Sequence, residues 1–561
     1  MKNIYKAFVA LAVTAGSLTT TSCIEETEPT SAASEEQVMQ SEKSMASLLW
    51  GIPASLNLED ADGGHYRFGY GAIMHIRDIQ TGDLLRDMYG QYNHFSNWAA
   101  NKYQGRDYAY GQYIWNFSYK FVQTTNTLIR AINVETATDT EKGYLGAAYA
   151  FRAMAYLDLA REYEFLPNKV FPDGKNEDGN VVTGLTVPIV DENTTEQTAA
   201  NNPRATREKM AEFILSDLNK AEELITNLTF SSKTLPHLDC VYGLKARYYM
   251  WLAGEDKQYY AQAADYAQKA FKAAGISPMT SDDCLSKNKG FNDISKWMWG
   301  MQLVKENGAV QTGIVNWVSW MSNETTFGYA AAGPYVVMDA NLYSKIPWDD
   351  FRKNEWTPTT FTTQDANVLA WYQEYACDLN NIYSSKNRDG ILYQNMPAYT
   401  SFKFRPAQGN TVNSSIAGAS AIPLMRVEEM YFIYAEALAH VNPAQGKAVL
   451  QSFMKKYRNA NYTTDATTEE EVVNEIILQK RIELWGEGQT FFDIKRLNMS
   501  VTRGYSDPVK TNWLEQYRFN TDGRPSWMNW VIVQTEGNTN AAVNDYNNPD
   551  PSDTYKEWSE D

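Results

Sequence analysis

The stretch EKGYLGAAYAFRAMAYLDLAREY, residues 141–163, restricts the fold of this 561-residue chain more than any other segment. Leu145, Tyr149, Tyr156 and Tyr163 recur near multiples of 3.6, and alanines between them leave room for close approach, so the segment reads as a long packed helix. ATREKMAEFILSDLNKAEELI, LDCVYGLKARYYMWLAG and YYAQAADYAQKAFKAAG follow with the same period. The last two end at Gly254 and Gly275, placed as left-handed helix C-caps. Residues 110–275 therefore predict successive helices stacked as hairpins.

Helix pairs of this length, rich in small residues, resemble degenerate tetratricopeptide-type repeats. From 276 to 422 the character changes: Gly, Asn, Ser, Thr and aromatics dominate KWMWGMQLVKENGAVQTGIVNWVSWMSNETTFGYAAAGPYVVM and SFKFRPAQGNTVNSSIAGAS. Short strands, loops and small helices are expected there. Helical period returns over 423–532. Val427, Met430, Tyr431, Tyr434 and Leu438 share one face, and the pattern continues through EEEVVNEIILQKRIELWGEGQTFFDIKRLN. Residues 533–561 are Asn- and Asp-rich and predict a loosely packed polar tail. The remaining divisions are 1–22 as a signal segment, 23–42 as a tether and 43–275 as the N-terminal helical region.

The signal reading rests on Lys2 and Lys6, an apolar stretch from Ala7 to Leu18, and small hydroxylated residues up to Ser22. The apolar stretch is too short to span a bilayer, which takes about 20 residues in a helix. Cys23 follows directly, and the arrangement resembles a bacterial lipobox, which implies lipidation of Cys23 and attachment to the outer membrane. Plain secretion with an incidental cysteine is the alternative. IEETEPTSAASEEQVMQSE then reads as a flexible acidic tether. Acids close behind the cysteine resemble the export signal of lipoproteins that face the cell exterior.

A formal charge of −18 argues against nucleic acid as a partner, because phosphates demand a basic surface. Besides Cys23 there are Cys240, Cys284 and Cys377, widely spaced and without CxxC, which predicts free buried thiols; one disulfide stays open. The five histidines form no metal-ligand spacing, and no nucleophile or phosphate-loop motif occurs, so no catalytic residue, no metal site and no cofactor is expected. Glu59, Asp60 and Asp62 in EDADGG, and PDGKNEDGN at 172–180, are acidic turns that could hold calcium. Neither completes a twelve-residue loop with a closing Glu, so solvated turns are the favoured reading.

IPLMRVEEMYFIYAEALA and EIILQKRIELWGEGQTFFDIKRLN resemble the two C-terminal signatures of the SusD/RagB family. Arg426, Glu429 and Ala435-Glu436-Ala437 match the first. Arg481, Glu483, Leu484, Glu487, Gly488, Phe492, Asp493 and Arg496 match the second, and the FRAMAYLDLAREY helix and the lipobox stand in the expected order. The resemblance implies a mainly α, SusD-like fold with a loop-rich, partly β ligand-binding subdomain. It also implies a surface lipoprotein that binds an oligosaccharide or polysaccharide and delivers it to a SusC-like TonB-dependent transporter. A peptide-binding lid of the RagB type and, less favoured, a surface glycoside hydrolase are the rivals. Glu483 and Glu487 could tempt one to a carboxylate pair, but residues four apart on one helix would share one side of a substrate. Ion pairing among Arg426, Glu436, Glu483, Glu487, Asp493 and Arg496 at packed helix junctions is the expected role.

Sugars offer apolar C–H faces rimmed by hydroxyls, so their site wants exposed ring planes interleaved with polar groups. The resemblance implies two contributing segments. In this chain GDLLRDMYGQYNHFSNWAANKY offers Arg86, Asp87, Tyr89, Tyr92, Trp98 and Asn101. The middle region offers Trp317, Trp320, Tyr329 and Tyr335. Trp98 and Tyr329 are the favoured contacts.

Overall fold

The helix over Asp139–Tyr163 is buried on every side from Gly143 to its end, not along one stripe. Small residues explain the difference from the sequence reading. A methyl group on Gly146 would come within 2.6 Å of the Ile225 backbone, so the next helix pair touches the chain itself there. The helix starts at a capping box: the Thr138 amide donates to the Glu141 carboxylate at 2.8 Å, and the Glu141 amide donates to Thr138 Oγ1.

Around this central rod the computed structural model describes residues 42–60, 64–86, 94–329, 332–360, 364–379 and 396–560. The signal segment, Cys23, nearly all of the tether, Asp62, Asp87, Tyr89 and Tyr92 lie outside the described residues. In chain order the main elements are α1 (Glu42–Ser55), α2 (Tyr70–Ile79), β1 (Leu84–Arg86), α3 (Ala109–Ala131), α4 (Asp139–Tyr163), α5 (Arg207–Leu224), α6 (Leu238–Ala253) and α7 (Tyr260–Ala274). After them come β2 (Trp299–Gln302), β3 (Val336–Met338), β4 (Ala421–Met425), α8 (Val427–Val441), α9 (Pro443–Tyr457), α10 (Glu469–Glu483) and α11 (Thr490–Arg496).

Helices pack against their neighbours in sequence: α3 on α4, α4 on α5, α6 on α7, α8 on α9. The join between the N- and C-terminal helical regions is α7 on α8. The fold is thus mainly helical, built on hairpins, as the periodicity predicts. Of the two glycine caps only Gly275 is left-handed, at φ 62°. Gly254 stays at φ −58°, and its missing side chain makes room for the Arg496 Cβ, 3.1 Å from where a methyl group would sit.

Two strand pairs tie the middle region to the rest of the body. β1 runs antiparallel to β3, with Leu84 opposite Met338, and β2 antiparallel to β4, with Trp299 opposite Met425. One contiguous apolar core runs from Met45 to Val543 and takes in residues of all three regions; a smaller cluster joins α8, α9 and α10.

The polar end of the chain is packed, contrary to the expectation of a loose tail. Asn548 Nδ2 donates to the carbonyls of Tyr163 and Trp530 at 2.8 and 2.7 Å, and Arg204 donates to the Tyr546 carbonyl at 2.7 Å. Asparagines supply the donors that the C-terminal carbonyl of α4 needs, so a composition typical of loops here caps a buried helix end.

Candidate functional site

The motif carboxylates are bound up inside the protein. Glu483 and Glu487 are about 5% exposed. Arg426 donates to both, at 3.2 Å to Glu483 and 2.9 and 2.8 Å to Glu487. Arg458 reaches Glu483 at 2.7 Å and Lys403 reaches Glu487 at 2.7 Å. Burial alone would raise the Glu483 pKa; Arg458, Arg426 and Arg352 overcome it and hold the carboxyl well below its ordinary value. Such a group has no proton to give near neutrality, and the ion-pairing expectation stands. Arg496 closes a second node with Glu436 and Asp493, and Arg481 pairs with Asp83. Cys240, Cys284 and Cys377 are free thiols. Among the described residues no group of three or more His, Cys, Asp or Glu is close enough to hold a metal ion.

The residues chosen as exposed ligand contacts are instead core. Trp98 is 4% exposed, Trp317 and Trp320 1%, Tyr329 3% and Tyr335 5%. Trp320 stacks on Tyr329 at 3.5 Å, and its indole donates to the His65 carbonyl. Trp317 packs edge-on against Phe404. Arg86 is fully buried, donates to His75 Nε2 and to the carbonyls of Pro334 and Trp320, and lies over the Trp320 ring; burial lowers its pKa to about 9. Asn101 is 2% exposed and donates to the Pro551 carbonyl. The physical reason is shared. A loop-rich region without long helices must bury its own large rings to be stable, so Trp and Tyr amid Gly and Asn are its core. The expectation of free ring planes at these positions is corrected.

Free planes do occur close by, at tyrosines the sequence reading passed over. Tyr103 is 46% exposed and Tyr108 40%, their rings 5.1 Å apart at 64°; the half-buried Tyr110 lies 6.3 Å from Tyr103, nearly parallel. Trp98 backs this surface, edge-on to Tyr110 at 5.3 Å, with Tyr66 behind both. Burial and the neighbouring Tyr66 raise the Tyr110 pKa, so its hydroxyl stays protonated.

The backbone that presents these rings is strained. Asn101 and Tyr103 sit at φ 52° and 59°, left-handed conformations that Asn tolerates and Tyr rarely adopts. The C-terminal segment holds them there. Asp553 donates its amide to the Asn101 carbonyl at 2.9 Å, and Gln104 donates its amide to Ser552 Oγ at 2.9 Å. A recess of about 330 Å³ that shares Trp98 with this surface is lined also by Gln104, Ile114, Trp530 and Pro551, and the buried Gln104 Nε2 has no partner. Exposed rings, a recess and an unused amide donor make this the candidate binding surface. Its signal in the sequence is NKYQGRDYAYGQ, tyrosines alternating with polar residues just ahead of α3. A larger cleft of about 560 Å³, among Arg161, Arg207, Arg247, Lys495, Arg496 and Glu164, lies elsewhere, at the ionic junctions.

A model described as the SusD family matches residues 246–560, more than half of the chain. The chain belongs to the SusD family. A second model, described as starch-binding and associating with the outer membrane, matches residues 65–250. A SusD-like protein, P38, of Formosa agariphila is 23% identical over 408 residues, which is 69% of this chain and 72% of that one. Among solved structures, a SusD-like carbohydrate-binding protein from Bacteroides vulgatus has a TM-score of 0.66 at 19% identity, covering 89% of this chain and 96% of its own. A SusD superfamily protein from Bacteroides thetaiotaomicron has 0.65 at 17%, covering 90% and 99%. At these identities the structural likeness speaks for the SusD fold alone.

Proposed function

We propose that this protein binds a glycan on the Tyr103–Tyr108–Tyr110 surface without altering it and passes it to a SusC-like TonB-dependent transporter. Attachment to the outer membrane would run through lipidated Cys23, with the folded body facing the exterior. The observation that carries the binding is a pair of exposed tyrosine rings, of which Tyr103 is held on a strained backbone: a protein keeps such a conformation where the presented side chain is used. Pyranose C–H faces stack on the rings, and the polar neighbours Asn97, Lys102 and Asp107 meet the hydroxyls. Trp98, Asn101, Arg86, Trp317, Trp320, Tyr329 and Tyr335 then serve from behind, as the wall that fixes the loop. Asp87, Tyr89 and Tyr92 are proposed as further contacts from the same segment.

Affinity electrophoresis against neutral polysaccharides and isothermal calorimetry with oligosaccharides test this reading. The double substitution Tyr103→Ala/Tyr108→Ala is expected to cut affinity about fivefold or more, since each aromatic stack contributes roughly 0.5–1.5 kcal/mol. Unchanged affinity would remove the site. Binding of peptides in place of every glycan would favour the RagB-type lid, and new reducing ends would show a hydrolase.

A further inference from the structure

The most exposed large apolar side chain among the described residues is Trp348, at 82%. It stands on the turn between Ile346, which is 1% exposed, and the buried pair Asp350–Arg352, whose Nη2–Oδ2 distance is 2.7 Å. The Asp350 amide donates to the Pro347 carbonyl, so the turn is closed on itself as well as anchored at both ends. The ring is therefore presented by a fixed scaffold. Its orientation is fixed too. Lys353 Nζ lies 4.7 Å from the Trp348 ring centre and 4.2 Å from that of Tyr343, and it is pinned by donating to the carbonyls of Ile346 and Tyr343 at 2.6 and 3.3 Å. An ammonium over the indole leaves the rest of the ring in solvent.

The next residue completes a recognisable chemistry. Asp349 is exposed, and each of its oxygens accepts an amide hydrogen: Oδ1 from Asn459 at 2.7 Å and Oδ2 from Asn461 at 2.9 Å. Those donors hold the carboxyl ionised, below its ordinary range. A fixed carboxylate keeps lone pairs for two neighbouring hydroxyls, the exposed Asn461 stands beside it, and an apolar ring plane lies one residue away. Vicinal hydroxyls beside a C–H face describe a pyranose. The chain's charge of −18 and the carboxylate itself disfavour an acidic sugar.

We propose that Trp348, Asp349 and Asn461 form a second sugar site, built from elements other than those of the tyrosine surface, that takes a neutral pyranose unit of a polysaccharide. It rests on the glycan-binding reading above and adds to it a division of labour. One site would be enough for a short oligosaccharide. Two sites engage one polymer molecule together, and affinity then exceeds that of either site alone.

The test compares wild type, Trp348→Ala, Asp349→Asn and Tyr103→Ala/Tyr108→Ala in affinity gels containing amylopectin, laminarin or galactomannan. Calorimetry with a hexa- or heptasaccharide cut from the retarding polymer completes it. Trp348 makes so few contacts that its removal leaves melting unchanged, which circular dichroism checks. The expected result is about fivefold or greater loss of polymer affinity in Trp348→Ala, a smaller loss in Asp349→Asn, and oligosaccharide affinity within twofold of wild type in both. Wild-type retardation kept in full by Trp348→Ala overturns the second site and leaves the tyrosine surface standing. No retardation of wild type by any polymer overturns both readings. Polymer binding kept by Trp348→Ala with loss of co-purification with an outer-membrane protein would make the ring a protein-docking point and would also overturn the sugar site.

Discussion

The junction around Arg426 and the loop around Tyr103 are opposites in how they use unfavourable placements. At the junction, charged groups have been taken out of water and then paired. Arg426, Arg352, Arg458 and Lys403 are all at most 5% exposed and meet Glu483 and Glu487 at 2.7–3.3 Å. At the loop, the rings of Tyr103 and Tyr108 have been left in water, Tyr103 on a backbone in the left-handed region. The first arrangement is stable only as a complete set, so it points to structure. The second is tolerated by the fold and stabilises nothing within the chain, so it points to a ligand. Removing one junction member should accordingly cost the most. Arg426→Met leaves Glu483 and Glu487 short of a cation in a buried setting and is expected to lower unfolding free energy by about 3–5 kcal/mol. Urea denaturation measures it. A loss under about 1 kcal/mol would mean that the junction relaxes by admitting water, and the contrast with the loop would weaken.

A second expectation concerns two buried carboxyls whose pKa shifts differ in sign from that of Glu483: Glu355 beside the same junction and Asp339 near Asp83 and Arg481. Burial drives the Glu355 pKa up to about 7, with Lys403 opposing and Glu483 adding; burial likewise drives Asp339 to about 7. A raised folded-state pKa means the folded protein binds the proton more tightly than the unfolded chain. Stability from these groups is then full below about pH 4 and falls as pH rises through 7. For Glu355 alone the loss is on the order of 3 kcal/mol across that span. Melting temperatures from pH 4.5 to 8 should decline for wild type and decline less for Glu355→Gln. Equal slopes would show that Glu355 ionises freely in place, and that nearness to the Arg426 set is enough to stabilise its charge.

How far these features could be read from the chain follows from what holds each one. The helical frame was legible because α4, α6, α7, α8 and α10 carry their period in consecutive residues, and the junction because Arg426, Glu483 and Glu487 stand in a local pattern. The strand pairs were not, since β1 with β3 and β2 with β4 join residues more than a hundred positions apart by short apolar runs. The tail misled because Asn547 and Asn548 look like loop residues until the carbonyls they satisfy are in view. At the candidate site the rings singled out from the sequence are buried, and the exposed ones stand a few residues further on. Composition gives Trp98 and Tyr103 the same prior, and the difference between 4% and 46% exposure is decided by Tyr66, Tyr110 and residues 551–554, folded in from both ends of the chain.

The smallest effect is the most telling for the loop. Tyr103→Gly removes the ring and at the same time relieves its left-handed backbone, which disfavours an L side chain by roughly 1–2 kcal/mol. Glycine gives back about 0.5–1 kcal/mol through the greater freedom of the unfolded chain. The net expectation is a gain of between 0 and about 1.5 kcal/mol in stability with a loss of glycan affinity close to that of Tyr103→Ala. Tyr103→Ala keeps the strain and should show no such gain. A matched pair of denaturation curves for the two variants, read alongside their affinity gels, separates the contributions. If glycine destabilises the fold more than alanine does, the clamp from Asp553 and Ser552 makes the left-handed turn favourable for its own sake. Strain at Tyr103 would then no longer argue for a ligand.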